Sequence, residues 1–272
     1  MRVAVCVDHD EAHRFVRQAL RDGPRAPGAI HLTFLPSPHE IANRASDFEL
    51  AVVDPLSRAE AMGTRRTLEA LEDLASALNR DRVVLLTPAD LRASGLLNDL
   101  MSSGFTFLVE HRVGKGPESL LRACARSRVR CRIRERTRLA GSHLRGEALS
   151  LLLDGMAGWP PTSTVLEQAK RVSTSSRNLR RKHARHDLPT PRFLLTRGRF
   201  LELCALMELG INQKGWLARM LGLRGRHTPA RLCRICTGMP WSHFFGPDAR
   251  GDASERVLSE ILRATRPDAF QR

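Results

Sequence analysis

The chain changes its hydrophobic rhythm once, near its middle. Over the first 125 residues, short apolar runs alternate with amphipathic stretches. "RVAVCVD" (2–8), "AIHLTFL" (29–35), "FELAVVD" (48–54), "RVVLLT" (82–87) and "FTFLVE" (105–110) are brief and mostly rich in β-branched residues, so they predict five strands. Between them, residues 11–21 put Ala12, Phe15, Val16 and Ala19 on one helical face. Further helical stretches fit at 38–45, 64–79 and 90–103, and another opens at 117. Apolar strands separated by helices predict a doubly wound, five-stranded parallel sheet covered on both faces. Chemistry in such sheets gathers at the carboxyl ends of the strands, and here those ends carry Asp8, Asp54 and Thr87.

From residue 146 the pattern is helical throughout, so the second half predicts an all-α domain. "STVLEQAKRVSTS" (163–175) gives an amphipathic helix with Leu166, Ala169 and Val172 inward, then a polar turn. Ser175 is a suitable N-cap for the next helix, "SRNLRRKHAR". In that helix Leu179 and His183 share one face, while Ser176, Arg177, Arg180 and Arg181 point away from it. A short helix, a tight turn and a second helix with a cationic outer face predict a helix-turn-helix. The arrangement recurs at 213–238. There Trp216, Leu217, Met220 and Leu221 lie on a first helix, and Arg226, Arg231 and Arg234 on a basic second one. Thr228 and Pro229 suit the N-cap and first helical position of that second helix. "PRFLLTRGRFLELCALME" (191–208) between the two units reads as a rigid apolar spacer. Its Arg199 is expected to be an ion-pair partner, and Trp159, Trp216 and Trp241 are expected in the core.

Arginine occupies every second position from Arg126 to Arg138, which superficially imitates a strand. No turn signal falls between Leu120 and Arg138, so the helix opening at 117 is expected to continue. Its arginines either touch phosphates or form a solvated linker. The expected organisation is a regulatory domain at 1–125, an arginine-rich linker helix at 126–145, a DNA-binding domain at 146–245, and a tail at 246–272 with a short helix.

Charge sharpens this division. The 272 residues carry a net +15, but residues 1–110 hold 12 Lys and Arg against 16 Asp and Glu, a balance of −4. The remainder therefore carries +19, which points to a polyanionic partner for the second domain only. Aromatic residues make up 5% and Tyr is absent, which argues against the stacking platforms of RNA readers. No P-loop, dinucleotide loop, nucleophile elbow or HExxH occurs, so no enzyme is expected. Cys233 and Cys236 form a lone CxxC without a second ligand pair, so neither structural metal nor redox chemistry is expected there. The chain has no apolar run near the roughly 20 residues of a bilayer span, and acids follow its first apolar run. A cytoplasmic protein with reduced thiols and no membrane partner is expected.

The second half resembles the DNA-binding domain of AraC-type transcription factors. The residues that carry this are "AKRVSTSSRNLRRK" (169–182), "LPTPRFLLTRGRF" (188–200), "ARMLGL" (218–223) and "TG" (237–238), in consistent spacing from 165 to 238. The resemblance implies double-stranded DNA as partner, with Ser176, Arg177, Arg180, Arg181, Arg226 and Arg231 as contacts. His183 departs from it, standing where an aromatic residue is usual, as does Pro229, standing where an apolar one is.

The first half resembles a response-regulator receiver domain through "VDHDEAHRFV", "FELAVVDP" and "VVLLTPAD". That likeness implies phosphorylation at Asp54 with Asp8 and Thr87 beside it, and magnesium on Asp8, Asp10 and Asp54. Yet His9 replaces a paired acid, and Glu110-His111 replaces the Lys-Pro after the fifth strand. A degenerate receiver is the expectation. It would sense a signal, bind a partner protein or form a homodimer, within a sequence-specific regulator that needs no cofactor. The alternatives are a non-specific nucleic-acid-binding protein and an enzyme built on the α/β half.

Overall fold

The computed structural model describes residues 1–20, 30–56, 63–88, 95–111, 118–139, 144–162, 164–223 and 228–265. They divide into two compact units, Met1–Arg128 and Val129–Arg272.

The first unit is built on five parallel strands: β1 (Arg2–Cys6), β2 (His31–Phe34), β3 (Leu50–Val53), β4 (Val83–Pro88) and β5 (Phe107–His111), in the order β2-β1-β3-β4-β5. That order is one of the two common to doubly wound sheets, and it places the topological switch between β1 and β3. Helices α1 (Asp10–Leu20), α2 (Pro38–Asn43), α3 (Thr64–Leu78) and α4 (Gly95–Ser102) connect them. Side chains alternate across each strand. Ala4, Cys6, Ala51, Val53, Val83 and Leu85 pack with Ile41, Leu71, Leu74 and Leu100 in one cluster. Their neighbours Val3, Val5, Val52, Val84 and Leu86 are equally buried, so both faces of the sheet are covered. This is why the strands read as near-continuous apolar runs.

Helix α5 (Glu118–Leu139) runs unbroken through the arginine-rich segment, as the absence of a turn signal predicted. The division between units falls inside it. In the first unit, Arg128 closes on Glu49 at 3.1 Å and the Ser127 hydroxyl donates to the Asp81 carbonyl. In the second, Arg132 takes Glu208 with both Nη atoms, Arg130 lies 3.8 Å from Asp154, and Arg136 pairs with Glu255. All four are therefore engaged by carboxylates, a use that neither expectation included, although Arg136 stays exposed. Their partners are carboxylates 79, 76 and more residues away or on other helices, which spacing along α5 cannot reveal.

The second unit contains α6 (Gly146–Ala157), α7 (Val165–Arg171), α8 (Ser176–Arg185), α9 (Pro191–Glu208), α10 (Lys214–Met220), α11 (Pro229–Thr237) and α12 (Pro247–Ala264). Helix α9 is its centre and more than a spacer. It buries Leu194, Phe200, Leu201, Leu203, Cys204, Ala205, Leu206 and Met207, nearly all round its axis, and packs against α6, α11 and α12. Gly198 allows the closest approach: a Cβ there would stand 2.6 Å from the Met156 Cα and collide with its carbonyl. The tail, expected to hold a short helix, forms the 18-residue α12 instead. Its buried Ala253, Val257, Leu258 and Ile261 recur at helical spacing and cover α9, so the tail completes the core. Residues 266–272 of that tail lie outside the described residues.

Candidate nucleic-acid interface

Helix α7 begins with a capping box: the Thr164 hydroxyl accepts from Glu167 N at 3.1 Å and the Glu167 carboxylate accepts from Thr164 N at 3.2 Å. Its buried residues are Gln168 and Ala169. Leu166, expected inward, is 56% exposed, and Val172 is half-buried. The short helix turns Gln168 into the interface in Leu166's place. Arg171 then fastens the far end of α7. Its Nη1 donates to the Pro160 carbonyl at 2.8 Å and its Nη2 to the Asp154 carbonyl at 2.7 Å.

The chain reverses over residues 172–175. Ser173 takes a left-handed conformation (φ 51°), and Thr174 N donates back to the Ala169 carbonyl at 2.9 Å. Ser175 caps α8 as expected, accepting from Asn178 N at 3.1 Å. Leu179 and His183 are both fully buried, which fixes the rotation of α8. The neutral His183 ring donates from Nδ1 to the Pro189 carbonyl at 2.8 Å, and burial pushes its pKa below the usual histidine value. The ring fills a core position and also ties the exit of α8.

That rotation leaves Arg177, Arg180 and Arg181 exposed on the outer face, with Ser176 half-exposed at its start. Arg185 lies one turn beyond Arg181 and is exposed too; it belongs with this set although the sequence reading did not single it out. Lys182 is drawn aside. Glu147, in the first turn of α6, accepts from Lys182 Nζ at 2.8 Å and from His186 Nε2 at 3.1 Å. The bond from Lys182 and then that from His186 hold the Glu147 carboxyl below the usual carboxylate range. Acid on one flank and cations across the crown make the exposed face of α8 strongly directional.

The second basic helix repeats the local design. Thr228 accepts from Arg231 N at 3.2 Å, and Pro229 opens α11 at its first position, as the sequence predicted. Pro229, Leu232, Cys233 and Cys236 are buried, leaving Arg231, Arg234 and Ile235 exposed. Arg226 lies outside the described residues. In α10, Leu217 and Met220 are buried, and the Arg219 guanidinium stacks 4.5 Å above the half-buried Trp216. Trp241 is in the core, whereas Trp159 and Trp216 sit at its edge. On the spacer helix, Arg197 pairs with Glu260 at 3.0 Å, while Arg199 is half-buried. Burial pushes the Cys233 and Cys236 thiols up to about 12, the opposite of the thiolates that metal binding or redox exchange requires.

At the carboxyl edge of the sheet, Asp54 is fully buried and its Oδ1 accepts from Leu56 N at 3.0 Å. Thr87, also buried, stands directly beside Glu110 in the β4–β5 register. Asp8 is exposed beyond β1, and Asp10 opens α1. Among the described residues, no three His, Cys, Asp or Glu side chains come together as a metal-binding group. No helix among the described residues is long and apolar enough to cross a membrane. No family model, curated protein or solved structure matches the chain.

Proposed function

We propose that the protein is a sequence-specific DNA-binding transcriptional regulator. In this reading α7 and α8 form a helix-turn-helix, α8 enters the major groove, and α10 with α11 form a second unit of the same kind. The observation that carries it is the construction of α8. A capped helix, with its rotation fixed by buried Leu179 and His183, turns Arg177, Arg180, Arg181 and Arg185 outward together. Guanidinium groups held on one face of a fixed helix suit both phosphates and the acceptor edge of guanine. The first unit, whose residues 1–110 carry a net −4, is the regulatory part, answering to a signal or a partner protein, and a homodimer would suit a two-fold operator.

Selection of bound duplexes from a random pool tests this directly. An enriched motif, with affinity falling steeply as salt rises, supports the regulator. Uniform recovery of all sequences would leave only non-specific nucleic-acid binding.

A further inference from the structure

A cavity of about 500 Å³ opens between α11 and α12, within the range of small-molecule sites. Its wall is mainly aliphatic, from Ala253, Val257 and Ala264 of α12. Cys236 and Met239 add two sulfur atoms at the end of α11. Thr237 of α11 and three charged side chains of α12, Arg256, Glu260 and Arg263, complete it. The three charged residues recur on one helical face at intervals of four and three.

The charges are not balanced. Glu260 is committed to Arg197 at 3.0 Å. Arg256 and Arg263 are exposed and form no ion pair with any described residue. An apolar chamber with two uncommitted guanidinium groups at its mouth favours a ligand with an apolar body and one anionic end. Guanidinium pairs with carboxylate through two parallel hydrogen bonds, and polarizable sulfur packs well against aromatic ring edges. We infer that this cavity is a binding site for a small aromatic carboxylate, its ring between Met239 and Val257 and its acid on Arg256 or Arg263.

The site stands apart from the DNA reading, because the residues that build it lie on the buried side of α11, just beyond its end at Met239, and on α12. It is therefore tested without DNA, by calorimetric titration of the full chain with 2-naphthoate, 2-naphthalenemethanol and decanoate. One equivalent of 2-naphthoate should bind, with the neutral alcohol and the aliphatic acid each at least about tenfold weaker. The double substitution R256Q/R263Q should weaken naphthoate binding about tenfold or more, with thermal unfolding unchanged because both side chains are exposed. A264M, which narrows the chamber and keeps both arginines, should weaken it as well. The inference is overturned by any of three results: no binding of naphthoate at about 1 mM, the alcohol or decanoate binding as well as naphthoate, or wild-type affinity in R256Q/R263Q.

Discussion

Arg132 and Glu208 meet in a two-pronged ion pair, Nη1 to Oε1 at 3.0 Å and Nη2 to Oε2 at 2.8 Å, joining α5 to the end of α9. Both side chains are largely removed from solvent, at 31% and 18% exposure, so the pair is worth more than an exposed one. Arg132→Ala or Glu208→Ala should lower stability by about 1–3 kcal/mol. Arg132→Lys should recover only part of this, since an ammonium cannot form the fork. Arg138→Ala, at an exposed position of the same helix, should change little. Urea unfolding of the four variants decides it, and equal effects at 132 and 138 would refute the structural role.

That pair also shows where sequence reading stops. The alternation of short apolar strands with helices was legible, because both faces of the sheet are covered, so the central β3 is wholly apolar and its neighbours are mostly so. The caps at Ser175 and Thr228 were legible too, since each depends on atoms three residues away. Arginine identity gives no such information. Arg132 and Arg181 look alike in the sequence, and only tertiary placement ties one to Glu208 and leaves the other on an exposed face. The same limit applies to Leu166, which yields the interface to Gln168, and to α12, whose polar residues concealed a helix that completes the core. At the candidate site, the outward arginines of α8 followed from local periodicity, whereas the grip of Glu147 on Lys182 did not.

The crown of α8 should separate base contacts from phosphate contacts. Arg177→Ala, Arg180→Ala and Arg181→Ala should each cost on the order of 1–3 kcal/mol on the selected motif where the arginine reads a base edge, and much less on random duplex. Lys170→Ala, at an exposed position of α7 outside the reading helix, should weaken all sequences alike. Fluorescence anisotropy on both duplexes measures the difference. Equal losses on the two would demote an arginine to a phosphate contact.

Glu147 should restrain binding. It occupies the Lys182 ammonium at 2.8 Å, and it places a negative charge beside the cationic face. Glu147→Gln would release Lys182 for a phosphate and remove that repulsion. Affinity for every duplex should rise, and the slope of log affinity against log salt should steepen by about one unit. An unchanged slope would show that Lys182 does not reach DNA.

His183 should make the second unit sensitive to acid. Burial, its largest influence, holds its folded pKa below the ordinary value; the bond to Pro189 opposes this and the charge of His186 adds to it. As pH falls below the ordinary histidine value of about 6.5, the unfolded chain takes up the proton before the folded one. Stability is therefore full above that value and declines as pH drops toward the lowered folded pKa. Chemical unfolding of a His183→Phe variant between about pH 7.5 and 5.5 should show a smaller decline than wild type across that window. Parallel curves would assign the effect to other groups.

The carboxyl edge of the sheet should resist conventional aspartyl phosphorylation. On the receiver-like reading Asp54 would be the acceptor, yet the register sets Glu110 directly beside Thr87, where that reading calls for a lysine. A phosphoryl group brings a charge of roughly −2 and needs cations around it. Here the described strand ends add carboxylates instead, and among the described residues no three of them assemble for the several oxygen ligands that magnesium prefers. Incubation with magnesium and acetyl phosphate should leave no stoichiometric, base-labile phosphate on the protein, as intact mass will show. Asp54→Asn is the proper companion variant, because its side-chain oxygen can still accept the Leu56 N–H that Asp54 now accepts at 3.0 Å. Asp54→Ala would break that buried turn and confuse a structural loss with a signalling one. The Asn variant should bind DNA as wild type does, before and after acetyl phosphate treatment. Stoichiometric label on Asp54 with a change in DNA affinity, absent in the Asn variant, would establish a working receiver despite Glu110.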